Sequence, residues 1–314
     1  MKKIFKAGWI VLALGIISLV VGIAFNGVRD IEFDGLSPQV AKKNQRIEKT
    51  YAKKEFTKID LKDLEAVAQV EIRQGDTYSI KYDGNSQNEP DITYRDDQVV
   101  IQRKKNLRRL TAVTSDVYEA KLVITVPKDK KLENVKFDNF FTGSFFLKGL
   151  TLKELELDAD FSELTLEQVN IERVKIDSSV GSDITVRDSN LNDGELKFES
   201  GDLKVYGGTL KNIQIDQEAG DVHYQNGTVF ENGSTSLEDG DLTAENVTFN
   251  GHYTVTNENG TNRVKNVNTK GYRLVTETGT NRLRDQTSKD QLESGMDQAD
   301  TLSLTAEDGD NIVE

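Results

Sequence analysis

The sequence predicts an all-β fold: a single-stranded β-solenoid (β-helix) of 19–20 residue coils, preceded by a β-rich N-terminal cap and one N-terminal transmembrane helix. Three observations predict it. Turn markers at Gly143, Ser162, Gly181, Gly201, Gly220, Gly240, Gly260 and Gly279 recur at spacings of 19, 19, 20, 19, 20, 20 and 19. Between them apolar and polar residues alternate with the period of a half-buried strand, twice per unit. Units this short bury an apolar face only by stacking on one another. With ~4.8 Å between stacked strands, about eight coils make a rod on the order of 40 Å long. A sandwich also has short alternating strands, but does not hold one register over eight units.

Taken in chain order, residues 1–6 form a short lysine-bearing tail. Ala7–Phe25 follows, nineteen residues without a charge, which is about the span of a ~30 Å hydrocarbon core. Lys2, Lys3 and Lys6 precede it and predict a cytoplasmic N-terminus with the remainder exported. The following NGVRD lacks an A-x-A-like cleavage signal. The chain has no cysteine, hence no disulfide, thiolate metal site or lipoprotein anchor. An uncleaved single-pass anchor in the plasma membrane is expected, with the C-terminal domain extracellular. Gly8, Gly15 and Gly22 recur every seven residues, and Ser18 lies near them. Small residues on one face permit close packing of a second membrane helix. Trp9, the single tryptophan, lies in this run.

Residues 26–54 read as a stalk. Ser37-Pro38 resembles a helix start, with Ser as N-cap and Pro at the first helical position. Residues 55–140 form a β-rich part, with alternating KIDLKDL, AQVEIRQ, TYSIKYDG, QVVIQRKK and YEAKLVITVP. It contains the densest basic run: Arg103, Lys104, Lys105, Arg108 and Arg109. That run is either a patch for anionic lipid or an anionic wall polymer, or a solvated hairpin loop. Phe140, Phe141, Phe145 and Phe146 are expected to fill the junction with the coils.

The coils occupy residues 141–285. Alternation places Leu203, Val205, Ile213 and Ile215 inside, with Lys204 and Gln214 outside. The word GTNR occurs at Gly260–Arg263 and again at Gly279–Arg282. It reads as two adjacent coils, Asn262 stacked on Asn281, with Val264 and Leu283 inward. Arg263 and Arg282 are then the candidate binding residues at the distal tip. Residues 286–314 break the register and read as an insertion followed by a C-terminal cap.

Asp183, Asp202, Asp221 and Asp241 occupy one place in four successive coils. A ladder of carboxylates could bind calcium, but the G-G-x-G-x-D repeat is absent and Gly-Asp is also ordinary turn chemistry. They are weak metal candidates at most. The N-x-S/T words at Asn226, Asn232, Asn246 and Asn259 also read as turns. His223 and His252 sit in no triad or metal spacing, so neither catalysis nor a cofactor is expected. Residues 141–314 carry 15 Lys and Arg against 33 Asp and Glu, a polyanion that excludes nucleic acid as a partner.

KIDLKDLEAVAQVEIRQGDTYSIKYDG, QVVIQRKK, LVITVPKDKKLENV and the repeated Gly-Asp coils resemble the bacterial membrane-anchored β-strand-repeat family labelled "putative adhesin", a domain of unknown function. The resemblance covers residues 56–285. It implies a Gram-positive membrane-anchored protein with no catalytic residues to carry over, and a link to Lia-type cell-envelope stress responses in some members. The expected function is a non-enzymatic scaffold or binding module in envelope maintenance or stress signalling. An adhesin or carbohydrate-binding protein is the alternative, and an enzyme acting on wall polysaccharide the third.

Overall fold

The structure is a computed structural model that describes residues 2–24, 31–34, 37–40, 45–51, 54–104, 108–110, 119–138, 141–179 and 181–314. Lys2–Ala24 is an α-helix. Nearly all else that is described belongs to one 25-stranded sheet, wound as a solenoid-like all-β fold.

The coil mechanics follow from the alternation. Leu203, Val205, Ile213 and Ile215 are buried to within about 1%, while Lys204 and Gln214 face outward. Leu203 pairs in parallel with Val222, Val222 with Leu242, and Leu242 with Asn262. These steps of 19 or 20 residues are the spacings of the turn markers. The turns need glycine for a steric reason. At Gly240 the backbone has φ +143°, and an added Cβ would lie 2.0 Å from the carbonyl oxygen of Gly220 in the coil beneath. At the other corners Asn226 and Asn246 and, six residues after Asn226 in the same coil, Asn232 adopt φ of 57–60°, the left-handed turn that Asn tolerates. Asn259 is strand instead.

Two aromatic clusters fill the interior. Phe137, Phe141, Phe145 and Phe161 pack with ring centroids 4.9–6.0 Å apart at the junction with the N-terminal part. Phe146 points outward, with Lys148 over its ring, and Phe140 lies outside the described residues. The second cluster joins Tyr224, Phe230, Phe249 and Tyr253. Its two phenols meet the buried Thr235 hydroxyl at 2.7 and 2.8 Å, so none of the three groups lacks a partner.

Both ends depart from sequence order. At the N-terminal end the first coil, built from Lys58–Lys62 and Gln69–Gly75, is sandwiched. Gln98–Gln102 and Lys121–Pro127 lie on one side of it, Leu132–Asp138 and Ser144–Lys148 on the other, all parallel. Antiparallel strands Asp91–Arg95, Ser79–Asn85 and Arg46–Thr50 cover that end. At the distal end the last coil, Thr301–Asp308 with Asn311–Val313, lies between the coil of residues 248–265 and that of 271–283. Antiparallel Gln286–Ser288 and Gln291–Ser294 cover the outermost coil. The parallel coils are thus covered at both ends by short antiparallel strands, a common way to blunt an exposed sheet edge.

Three expectations are corrected. The stalk is not helical where it is described. Ile31–Asp34 and Ser37–Val40 form a hairpin that puts Pro38 opposite Phe33, and Arg46–Thr50 joins the main sheet. Ser-Pro here begins an extended segment, a conformation that proline's fixed φ also permits. Residues 301–313 are an interior coil, and the cap is coil 271–283 with its hairpin. Asn262 and Asn281 do not stack directly, because Asn311 stands between them. Val264 and Leu283 do face the core.

Candidate binding surfaces

The Gly-Asp turns spend their carboxylates on the fold. Asp183 Oδ1 accepts the backbone N–H of Asp202 at 3.1 Å, Asp202 that of Asp221 at 3.2 Å, Asp221 that of Asp241 at 2.9 Å and Asp241 that of Thr261 at 2.8 Å. Asp310 does the same for Thr280. Each aspartate therefore stitches its coil to the next. Partial burial opposes ionisation of Asp202, but the Asp221 N–H and the Lys204 ammonium at 3.1 Å outweigh it and hold the carboxyl below its usual range. Among the described residues no group of three or more His, Asp or Glu is placed to hold a metal ion. The ladder is accounted for by backbone donors.

The distal arginines share an outward column. Arg263 and Arg282 flank Ile312, both exposed. Arg282 forms an ion pair with Glu314. The column brings the two together, but with Ile312 between them.

The basic run is not a freestanding patch. Arg103 is ion-paired with Glu65, and Lys104 is exposed beside it. Arg108 and Arg109 lie in a strand whose register puts them opposite Phe33 and Glu32. Lys105 lies outside the described residues. Arg108–Leu110 belongs to a second, three-stranded sheet with Ile31–Asp34 and Ser37–Val40, whereas Arg103 follows a strand of the main sheet.

On the helix, a Cβ added at Gly8, Gly15 or Gly22 would meet nothing among the described residues beyond the helix itself within 4 Å, and Ser18 is exposed beside them. Trp9 and the neighbouring Ile, Leu and Val side chains are about half exposed or more. Among the described residues no helix is long and apolar enough to cross a membrane.

One feature went unread in the sequence. Glu199, Glu218, Glu238, Glu258, Glu307 and Glu277 fall at one place in six stacked coils, by the registers on either side of them. All six are exposed. The E-x-G spacing before each turn was the available signal, and it holds in all six coils where Gly-Asp holds in four. A shallow open depression of about 390 Å³ lies at the N-terminal end, lined by Lys54, Glu55, Asp76, Tyr78, Asp129 and Lys130 among others. Its mixed charges converge on no single point.

The arrangement is therefore one of repeated outward columns on a packed rod, and the fold itself is shared with known proteins. A crystal structure of a "putative adhesin" from Parabacteroides distasonis aligns over 85% of this chain and 97% of its own, at 14% identity and a TM-score of 0.54. Another from Parabacteroides merdae aligns over 87% and 95%, at 15% identity and a TM-score of 0.51. These likenesses show the fold. No curated protein matches the chain. The profile of the Toastrack DUF4097 family matches residues 56–313, closing segment included, and the chain belongs to that family.

Proposed function

We propose that this protein is a membrane-anchored, extracytoplasmic solenoid that acts as a non-enzymatic scaffold or binding module in cell-envelope maintenance or stress signalling. The observation that carries the reading is the in-register display of like side chains on successive coils, with the turn aspartates already engaged by backbone donors. A rigid surface that repeats one group at strand spacing suits multivalent contact. The uncharged run Ala7–Phe25 after three lysines supports the anchor, since a span of that length matches the hydrocarbon core. The small face at Gly8, Gly15 and Gly22 offers a place for a second membrane helix. The alternative, an outward-facing adhesin, draws on the fold shared with structures bearing that name.

Proximity labelling from the full-length protein in its native membrane tests the reading. Membrane-protein partners should be recovered, and should be lost when Ala7–Phe25 is exchanged for a neutral anchor. Partners that survive the exchange, together with glycan or surface binding by the fragment 55–314, would favour the adhesin. Release of soluble products from wall material would overturn both.

A further inference from the structure

The distal end joins its coils out of sequence order, and the chain prepares for this early. Asn268 still pairs above Thr248, twenty residues back. Three residues later Gly271 stands two levels above His252, with Thr301 between them. Coil 271–283 is therefore one strand spacing, ~4.8 Å, higher than the period of the sequence places it.

The residues themselves do not require that gap. Tyr253, Tyr272 and Leu302 share one inward column, and Val255, Leu274 and Leu304 share the next. Asn262, Asn281 and Asn311 share a third, and Val264, Leu283 and Val313 a fourth. Coil 271–283 can thus rest directly on 252–264 with like residues over like. That contact is local in sequence and closes only a short loop, whereas residues 301–313 arrive from farther along the chain. Contacts peculiar to the inserted order gather at two points. Asp300 accepts the Gly251 N–H at 3.0 Å and pairs with Lys270 at 2.7 Å, and its carbonyl accepts the Lys270 and Gly271 N–H groups. Asn311 donates to the Val275 carbonyl and to Asn281 Oδ1, and accepts from Asn262.

We propose that the distal end is a two-position lock. Coil 271–283 first stacks directly on 252–264, leaving 301–313 as a free strand. Insertion of 301–313 then lifts the coil by one level, adds Leu302, Leu304 and Val313 to the core, and is fastened by Asp300 and Asn311. The open position keeps the end of the rod capped while its last strand is unplaced.

The described chain has no cysteine, so engineered pairs can read the order. Thr254, Ser303 and Arg273 occupy one outward column. Neighbouring levels are within disulfide reach, while two levels, about 9.6 Å, exceed the ~7 Å limit between Cα atoms. In the native full-length protein, Thr254→Cys with Ser303→Cys should crosslink and Thr254→Cys with Arg273→Cys should not. During refolding the Thr254→Cys and Arg273→Cys pair should form early, several-fold above a distant control pair of Thr254→Cys with Lys175→Cys. It should also form in a full-length chain carrying Leu302→Asp and Leu304→Asp, whose last coil cannot be buried. If that pair never exceeds the control in either setting, or if the Ser303 pair forms first, there is no open position. A Thr254–Arg273 crosslink in the native protein would overturn the inserted order itself.

Discussion

At the scale of single residues, Asn311 shows what holds the end together. It is fully buried and bridges Asn262, Asn281 and the Val275 carbonyl at 2.7–2.8 Å. Asn311→Leu fits the space but strips the buried Asn281 Oδ1 of its donor and takes one hydrogen bond each from Asn262 and the Val275 carbonyl, so a loss of about 1–3 kcal/mol is expected. Urea unfolding of the variant beside the exposed Asn250→Ala measures it, and equal losses would remove the ladder from the account. The sequence made the inward Val and Leu of this region legible, because period-two alternation assigns a face without knowing the neighbour. It could not reveal Asn311 as the middle member. Asn262 and Asn281 repeat within one word and so look adjacent, whereas the strand between them comes from beyond a break in register.

At the scale of the coil, the turn glycines are more demanding than the alternation. Gly240→Ala brings a Cβ to 2.0 Å from a backbone oxygen at a φ that L-residues rarely adopt. Backbone cannot yield there without separating two coils, so a loss of about 2 kcal/mol or more is expected. The control is Gly227→Ala, which has positive φ but open space around it. Thermal unfolding should separate the two, and similar losses would show that φ alone matters. The coil period was legible because each turn repeats this requirement. The stalk was misread because Ser37-Pro38 satisfies a helix start and an extended hairpin equally. Tertiary pairing with Ile31–Asp34 decides between them.

At the scale of the whole molecule, the rod carries a large negative charge yet depends on ionised carboxylates. The Lys270 ammonium and the Gly251 N–H hold Asp300 below the usual carboxylate range, and Asp202 is likewise lowered against its partial burial. Groups whose folded pKa is depressed contribute stability above the unfolded value and lose it as the pH falls through the folded one. The urea midpoint should therefore hold from pH 7 to about 5 and drop below about pH 4. A midpoint that rises on acidification would mean that relief of repulsion among the acidic columns outweighs the ladder. Burial of aromatic rings has a further, optical consequence. The one tryptophan lies in the helix, whereas all nine tyrosines lie beyond it. Tryptophan emission thus reports the surroundings of the helix alone, and the tyrosines those of the chain beyond it. Within the latter, burial pushes the Tyr253 phenol up to about 12 and Tyr224 further still. An alkaline spectrophotometric titration should ionise the more accessible phenols first, leaving a late-titrating set, Tyr51 and Tyr82 at the N-terminal end with Tyr224 and Tyr253 in the middle, as an internal gauge of whether the packed sheet is intact.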